Sequence, residues 1–291
     1  MAIWNPWHGC HKISPGCANC YVYRRDESIG KDAGIISKTG DYNLPLRKDR
    51  QGNFKLSAKD GTVYACMTSD FFLEDADEWR QGCWDMIRER TDLSFHIITK
   101  RIDRFEKCVP PDWGDGWNHV TICSTCENQD RTDYRLPILL SLPIKHRQII
   151  SEPMLGEITM EEYLKTGQIE HVTCGGESGP NARPCNLDWI LKVRSECMRY
   201  GIPFTFKQTG AVFIKDGKTY LIGAHGCALR ALLNCLYPDP ADYWRGRAPY
   251  NCSVNIVEAE NGVARLVAED RVYYDQSLIV DHYRLAGKAG E

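Results

Sequence analysis

Short apolar runs alternate with amphipathic segments along residues 62–210. Six runs rich in Val, Ile, Phe and Thr predict strands, and the segments between them carry apolar residues at helical spacing. The clearest helix is predicted over 75–90, where acidic residues come first and basic residues last, as the helix dipole favours. The predicted strands cover residues 62–72, 95–101, 119–128, 146–154, 170–179 and 203–210.

Alternation of strands and helices predicts a parallel sheet, because consecutive parallel strands are joined by crossover helices. Each strand is a continuous apolar run, which is typical of strands covered on both faces. No Gly-x-Gly-x-x-Gly sequence opens a helix after the first of these strands, and this disfavours a dinucleotide-binding fold. A barrel and an open doubly wound sheet both fit, and we expect an α/β fold, a partial parallel barrel of about six strands. The other predicted helices cover 21–29, a region over 133–142 that Pro137 interrupts, 159–167 and 186–201.

The two ends of the chain differ from this pattern. Residues 2–4 are apolar enough to end a further strand, and 30–60 predict loops with one hairpin at most. After residue 210 the pattern favours a hairpin, a helix and a pair of antiparallel strands with an Asn-Gly turn. We therefore expect a barrel domain over 1–210 and a mixed α+β appendage over 211–291.

Composition and charge limit the binding partners and the cellular compartment that we expect for the protein. The 291 residues carry a net charge of −3, so no overall basic field attracts nucleic acid or membrane, although a local patch is allowed. No run of 18 apolar residues predicts a membrane span, and the N-terminus lacks the features of a signal peptide. We expect a cytoplasmic protein, in which the 14 cysteines are mostly small core residues rather than disulfides.

Polar residues follow every one of the six predicted strands. In parallel barrels the carboxyl ends of the strands meet at one mouth, which is where active sites lie. We expect these six clusters to converge there. They are Ser69-Asp70, Thr99-Lys100-Arg101, Glu127-Asn128, Ser151-Glu152-Pro153, Gly175-Gly176-Glu177-Ser178 and Lys207-Gln208.

Three cysteines lie close together near the N-terminus, with the spacing Cys10-x6-Cys17-x2-Cys20. Four cysteines would complete a structural zinc site. Three thiolates hold a 4Fe-4S cluster and leave one iron free for another ligand. A zinc site of three cysteines and one of the flanking histidines, His8 or His11, is the alternative. The glycines and proline of this loop disfavour three unrelated core cysteines.

The motifs taken together resemble a known group of proteins. They are similar to a phage-associated three-cysteine-motif family that is placed near the radical S-adenosylmethionine (SAM) superfamily. The resemblance runs from residue 4 to residue 210. The matching stretches are WNPWHGCHKISPGCANCY, MTSDFF, ITKRIDRF, SEPMLG, GGESGPNARP and PFTFKQTG.

The resemblance implies a TIM-barrel-like enzyme that holds a 4Fe-4S cluster through Cys10, Cys17 and Cys20. SAM would bind the free iron, and its reductive cleavage would give methionine and a 5′-deoxyadenosyl radical that acts on a substrate. A flavodoxin- or ferredoxin-like reductant is the implied partner. The expected contacts to SAM are Lys100 or Arg101 to its carboxylate, one of Glu177, Glu152 and Asp70 to its ammonium, Asn128 to its ribose, and the backbone of Gly175 and Gly176.

Two features differ from the usual radical SAM pattern. The first gap between cysteines is six residues instead of three, and the Gly-Gly-Glu sequence follows a late strand instead of the second. Glu177 has an alternative partner in Arg183, six residues further along. Arg101, Arg104 and Arg183 would suit a phosphate or carboxylate, so a nucleic-acid base or nucleotide is one substrate hypothesis. A peptide or small metabolite is the other, and a zinc-bearing, non-catalytic nucleic-acid-binding module is the alternative class.

Overall fold

Seven parallel strands form the central sheet, in a computed structural model that describes residues 2–215, 233, 236, 254–260 and 263–271. The strands follow one another in chain order across the sheet, and every neighbouring pair is parallel. The sheet is an open half-barrel, so the predicted α/β class and parallel sheet are confirmed. Residues 2–4 supply the seventh strand. The strands are β1 (Ala2–Trp4), β2 (Thr62–Ala65), β3 (Ser94–Thr99), β4 (Val120–Thr125), β5 (His146–Ser151), β6 (His171–Gly175) and β7 (Phe204–Gln208).

In residues 2–215, six helices lie between the strands along the chain. The predicted interruption at Pro137 is wrong, because the helix over Gln129–Ser141 continues through it. Leu136 and Leu139 flank this proline and are fully buried, so core packing holds the helix together there. The helices are α1 (Tyr21–Ser28), α2 (Asp77–Glu89), α3 (Phe105–Cys108), α4 (Gln129–Ser141), α5 (Glu161–Leu164) and α6 (Leu187–Arg199). Short 3-10 turns cover Pro15–Cys17, Leu44–Leu46, Ala58–Asp60, Glu74–Ala76 and Ile102–Arg104.

The two faces of the sheet differ in burial. On one face, residues such as Val63, Ile97 and Val172 are fully buried in the core. On the other face, residues such as Tyr64 and Ile98 are only half-buried. The expectation that all strands are covered on both faces holds for β4, in which every residue is buried, and is wrong for the others. The half-buried face leaves room for a cavity inside the half-barrel.

An aromatic cluster secures the segment that follows β2. Trp7 packs on Phe71 with 5.4 Å between ring centroids, and Phe71 meets Trp84 of α2 at 5.1 Å. Trp84 donates a hydrogen bond from Nε1 to the Cys108 carbonyl and packs edge-on against Trp113. Edge-to-face contacts of this kind add to the hydrophobic gain. Among the cysteines that the structure describes, eight are buried core thiols, as predicted: Cys66, Cys83, Cys108, Cys123, Cys126, Cys174, Cys185 and Cys197.

The chain divides into two compact units, Met1–Ile214 and Lys215–Glu291. In the second unit, β8 (Val254–Glu260) pairs antiparallel with β9 (Val263–Arg271), as predicted. Of the hairpin predicted over 211–222 the structure describes only 211–215, where Phe213–Ile214 pairs in parallel with Cys185–Asn186. The predicted helix over 228–237 and the Asn-Gly turn lie outside the described residues, apart from two single positions.

The region over 30–60 consists of loops and turns. Ser37–Lys38 forms a two-residue antiparallel pair with Trp7–His8, and one bridge joins Lys48 to Phe54. Within the described residues, no helix has the length and apolarity needed to cross a membrane.

Candidate functional site

A cavity of about 400 Å³ lies where the carboxyl ends of the strands meet the cysteine loop, which we define as residues 9–20. This volume is in the range of small-molecule sites. Cys10, Cys17 and Cys20 all line it. The half-buried face of the sheet supplies the opposite wall. That wall contains Ile3, Tyr64, Ile98, Thr125, Ile150, Thr173 and Lys207.

Each cysteine has a different local setting. Cys10 follows Gly9, whose φ of +93° and whose approach to the Ile35 carbonyl leave no room for a Cβ. Cys17 ends a 3-10 turn that begins at Pro15. Cys20 is the N-cap of α1, so it lies at the partly positive end of that helix. The loop therefore presents three thiols from a backbone that its own sequence fixes.

The end of β2 anchors the start of the loop. The Gly9 amide donates to the Thr68 carbonyl at 3.2 Å, and the Ser69 hydroxyl donates to the Gly9 carbonyl. Tyr23 of α1 donates to the Cys10 carbonyl. These bonds connect the loop to one of the polar clusters that the sequence places at the strand ends.

The end of β3 contributes Arg101, which is only 4% exposed. Its Nη2 donates to the His11 carbonyl at 2.8 Å, and its Nη1 lies 3.7 Å from the Cys10 Sγ. Burial raises the pKa of the Cys10 thiol to about 11, Asp70 adds to the rise, and Arg101 opposes it. Arg101 therefore contacts the cysteine loop directly. Its guanidinium is directed at this loop, which gives no support to the contact with the SAM carboxylate that the resemblance implies.

Asp70 is occupied by the protein itself. Its carboxylate accepts from the Thr99 hydroxyl at 2.8 Å, from the Lys100 amide at 2.9 Å and from the Phe72 amide at 3.0 Å. Its Oδ2 also lies 3.4 Å from Arg101 Nη1. Asp70 organises the turn after β3, which leaves it poorly suited to bind the ammonium of a ligand.

Glu127 was not among the predicted site residues, although it stands in the polar cluster after β4. It is fully buried, accepts from the Gly16 amide at 3.2 Å and pairs with Arg135 Nη1 at 2.6 Å. Arg135 also donates to the Thr125 carbonyl. Burial alone would raise the pKa of Glu127, but the Arg135 guanidinium, the hydrogen bonds from Ser14 and Gly16 and the charge of Lys100 together lower that pKa. Glu127 is thus the support beneath the middle of the cysteine loop.

Glu177, which follows β6, also holds the cysteine loop, as do the residues at the ends of β2, β3 and β4. Its Oε2 accepts from Asn19 Nδ2 at 2.9 Å and from the amide and Nε of Arg183, and its Oε1 accepts from Arg183 Nη2 at 2.5 Å. Burial alone would raise the pKa of Glu177, but the bonds from Arg183 and Asn19 lower it to about 2. Glu177 lines the cavity, yet its oxygens are already paired. Arg183, the structural alternative, is its partner.

We expect Glu177→Gln to destabilise the fold by about 1–3 kcal/mol, since hydrogen bonds to a charged group are worth that much. Urea denaturation at pH 7 measures this. The folded pKa of about 2 lies below the ordinary value of 4.5, so the stabilisation is present above pH 4.5 and is lost as pH falls toward 2. The variant and the natural protein should therefore converge in acid. Glu162→Gln, which breaks an exposed pair with Lys165, is the control and should leave stability nearly unchanged because solvent screens that pair.

Gly175 and Gly176 are explained by protein packing. A Cβ on Gly176 would lie 2.0 Å from the Thr209 carbonyl oxygen, and one on Gly175 would lie 3.1 Å from the Glu152 Oε1. The space beside both glycines is filled by β7 and by Glu152. The expected close approach of a ligand to these two positions finds no support in their surroundings, although Gly176 lines the cavity.

Glu152 differs from the other carboxylates at the mouth. Its Oε2 accepts from Lys207 Nζ at 2.7 Å, but its buried Oε1 has no hydrogen-bond partner among the described residues. Thr125 Oγ1, also buried on the cavity wall, likewise lacks a partner within the described part of the chain. Buried polar atoms of this kind normally have partners. Glu152 Oε1 and Thr125 Oγ1 are therefore two buried atoms with which a polar group of a ligand could form hydrogen bonds.

The two remaining predicted site residues, Lys100 and Asn128, differ in whether they line the cavity. Lys100 lines the cavity, and its ammonium has no hydrogen-bond or ion-pair partner in the described residues, so it is available to an anionic ligand group. Asn128 does not line the cavity. Its side-chain oxygen accepts from the Arg131 amide and caps α4, so the expected ribose contact has no geometric basis.

The arginines that suggested a phosphate-bearing substrate are paired with carboxylates. Arg104 donates to both oxygens of Asp77, and Arg101 and Arg183 are bound as described above. Paired guanidinium groups offer little to a phosphate. Their positions therefore give no support to a nucleic-acid substrate.

The flanking histidines also have partners. His8 Nε2 contacts the buried carboxylate of Asp26, and His11 Nε2 lies 3.1 Å from Asp75. Both rings are directed at carboxylates, which gives no support to either histidine as a fourth zinc ligand. Within the described residues, no group of three or more His, Cys, Asp or Glu side chains is placed to hold a single metal ion.

Fold and site define the class of this protein, a parallel α/β half-barrel with a three-cysteine loop across its mouth. A family model described as "Protein of unknown function (DUF5131)" matches residues 1–260, and the chain belongs to that family. No curated protein and no solved structure matches it. What the protein does must therefore be inferred from the residues of its site.

Proposed function

We propose that the protein is a radical SAM-type enzyme whose cysteine loop holds a 4Fe-4S cluster through Cys10, Cys17 and Cys20. The observation that carries the proposal is that all three thiols line one cavity at the carboxyl ends of seven parallel strands. Cluster and SAM, when bound, would supply the reductive cleavage that gives methionine and a 5′-deoxyadenosyl radical, with a flavodoxin- or ferredoxin-like protein as electron donor.

The donor set and its surroundings fit such a cluster. Three thiolates leave one iron for a small-molecule ligand, and the cavity offers room beside them. Cys20 at the N-terminus of α1 and Cys10 beside Arg101 both lie near positive charge, which offsets the negative charge of iron-bound thiolates. Bonds from the ends of β2, β3, β4 and β6 hold the loop, so the site is supported as a preorganised metal site requires.

Within this proposal, Glu152 is the residue that binds the SAM ammonium. Glu152 lines the cavity and its buried Oε1 lacks a partner among the described residues, whereas Glu177 and Asp70 are already paired. Lys207 holds the other oxygen and orients the carboxylate. Lys100, which lines the same cavity with a free ammonium in the described region, would meet the SAM carboxylate.

We expect Glu152→Gln to weaken SAM binding by about 10-fold or more, because a charge-assisted hydrogen bond is worth roughly 1.5–3 kcal/mol. Isothermal titration of the anaerobically reconstituted protein with SAM measures this, at equal iron content. Glu157→Gln is the control, since Glu157 pairs with Lys192 and does not line the cavity. Equal SAM affinity in natural and Glu152→Gln protein, with full iron in both, would rule out this assignment.

The wall below this site indicates where a substrate would lie. Tyr64 and Ile98 are half-buried, and Thr173 of β6 lies on the same cavity wall. Ile3, Tyr64, Ile98, Thr125, Ile150 and Thr173 of this wall carry no charge at neutral pH, and Lys207 is paired with Glu152. A neutral polar substrate, such as a peptide or small metabolite, suits this wall better than a polyanion.

A further inference from the structure

We propose that Arg101 is a positioning residue that raises the reduction potential of the cluster through Cys10. This inference rests on the proposed function and deepens it. It assigns to Arg101 a task toward the metal ligands, in place of the carboxylate contact that the sequence suggested. It also makes the three cysteine ligands electronically unequal.

The contacts of the three thiols carry the inference. Arg101 Nη1 lies 3.7 Å from the Cys10 Sγ, within the range of a hydrogen bond to sulfur. Cys17 has a weaker neighbour in the Ser14 hydroxyl, at 3.9 Å. In the part of the chain that the structure describes, neither Cys17 nor Cys20 receives a hydrogen bond from a cationic side chain. A guanidinium that is paired with Asp70 through the same nitrogen therefore meets the cluster site at one thiol.

A buried network holds the Arg101 guanidinium in place. The Arg101 amide donates to the Thr99 hydroxyl at 2.8 Å, and that hydroxyl donates to Asp70. Asp70 Oδ2 contacts Arg101 Nη1, and Nη2 is fixed on the His11 carbonyl. Thr99, Asp70 and Arg101 are all at least nine-tenths buried. Because these contacts already hold the Arg101 guanidinium, it donates to the sulfur without a further loss of side-chain conformational entropy.

The expected effect on the cluster follows from charge. Reduction adds one electron to the cluster, and that extra negative charge is stabilised by a nearby cation and by hydrogen bonds to the ligand sulfurs. Glu74, which lies 3.5 Å from Arg101 Nε, is 54% exposed, so solvent screens its opposing charge. Asp70 opposes the effect from inside, because its Oδ2 lies 3.4 Å from the same Nη1 that approaches Cys10, but removal of Arg101 would leave that carboxylate unpaired beside the thiol. The bond to the sulfur leaves a net stabilisation of the reduced state.

The test is a potentiometric titration with dithionite, followed by the electron paramagnetic resonance of the reduced cluster. We expect Arg101→Met to shift the midpoint potential to more negative values. Arg101→Lys keeps the charge beside Asp70 but cannot hold His11 and Cys10 together, so a smaller negative shift is expected. It also serves if Arg101→Met fails to fold. Arg104→Met is the matched control, because Arg104 contacts the same Glu74 but no ligand thiol, and its potential should equal that of the natural protein.

Three outcomes would overturn the inference in different ways. Full iron content with an unchanged potential in both Arg101 variants contradicts the role of Arg101 and leaves the proposed function standing. A natural protein that takes up no iron contradicts the proposed function, and this inference with it. A negative shift of equal size in Arg104→Met would show a general charge effect and would also contradict the assignment to Arg101.

Discussion

Replacement of Cys17 by alanine is expected to abolish iron binding by the reconstituted protein and to leave the fold intact. A cluster held by three thiolates loses an iron ligand, and the described structure offers no fourth cysteine at the loop. The fold should survive because Cys17 is half-exposed and because the hydrogen bond from its backbone amide to the Ser14 carbonyl does not involve the side chain. Iron and sulfide content, with the circular dichroism spectrum, measure the two effects.

The control for this experiment is Cys83→Ala. Cys83 is fully buried in α2 within the core and does not line the cavity. Its loss should lower stability and leave the iron content unchanged. Cys10→Ala and Cys20→Ala should behave like Cys17→Ala. Full iron content in any one of the three loop variants would contradict the proposed set of ligands.

Glu127→Ala is expected to produce the largest loss of stability of the substitutions considered, about 3–5 kcal/mol. Glu127 is fully buried and pairs with Arg135, whose side chain is 2% exposed, so the variant leaves a buried charge without its partner. It also removes the acceptor of the Gly16 amide, which holds the middle of the cysteine loop. We therefore expect lower cluster occupancy together with the lower midpoint of urea denaturation.

The matched control is Glu161→Ala, which removes an ion pair with Arg199 whose side chains are 38% and 57% exposed. Screening by solvent keeps that loss far below the loss expected for Glu127→Ala. A second variant, Glu127→Gln, retains an acceptor for the Gly16 amide and should restore cluster occupancy in part. Equal stability losses for Glu127→Ala and Glu161→Ala would refute the role of the buried pair.

The strands and helices of the half-barrel follow from the sequence because each one is a local pattern. Apolar runs ended by polar residues located β2 to β7, and charge asymmetry located α2. The pattern failed at Pro137, where tertiary packing of Leu136 and Leu139 outweighs the local preference of proline. It also failed for the burial of the strands, because the sequence does not show whether a sheet closes.

The candidate site was predicted in its residue types and only partly in their roles. Convergence of polar strand ends on one mouth is a consequence of parallel topology, and the described structure has it. Which carboxylate stays free depends on long-range partners. Glu177 meets Asn19 and Arg183, and Asp70 meets Thr99, so both are used by the protein, while Glu152 retains an unpaired oxygen. Spacing along the chain cannot show such pairings.

The support of the cysteine loop was also hidden from the sequence. Glu127 and Gly16 are 111 positions apart, and Arg101 and Cys10 are 91 apart. A signal was present, since Glu127 stands in a polar cluster after a buried strand. The cysteine loop brings these clusters together, because it lies across the ends of several strands at once.

Metal analysis of the anaerobically purified protein tests the central claim most directly. Iron, acid-labile sulfide and zinc should be measured together, on protein that has been kept free of oxygen throughout purification. We predict about four irons and four sulfides per chain, no stoichiometric zinc, and loss of the iron on exposure to air. One zinc per chain with no sulfide would contradict a three-cysteine iron–sulfur site, and with it the proposed SAM chemistry.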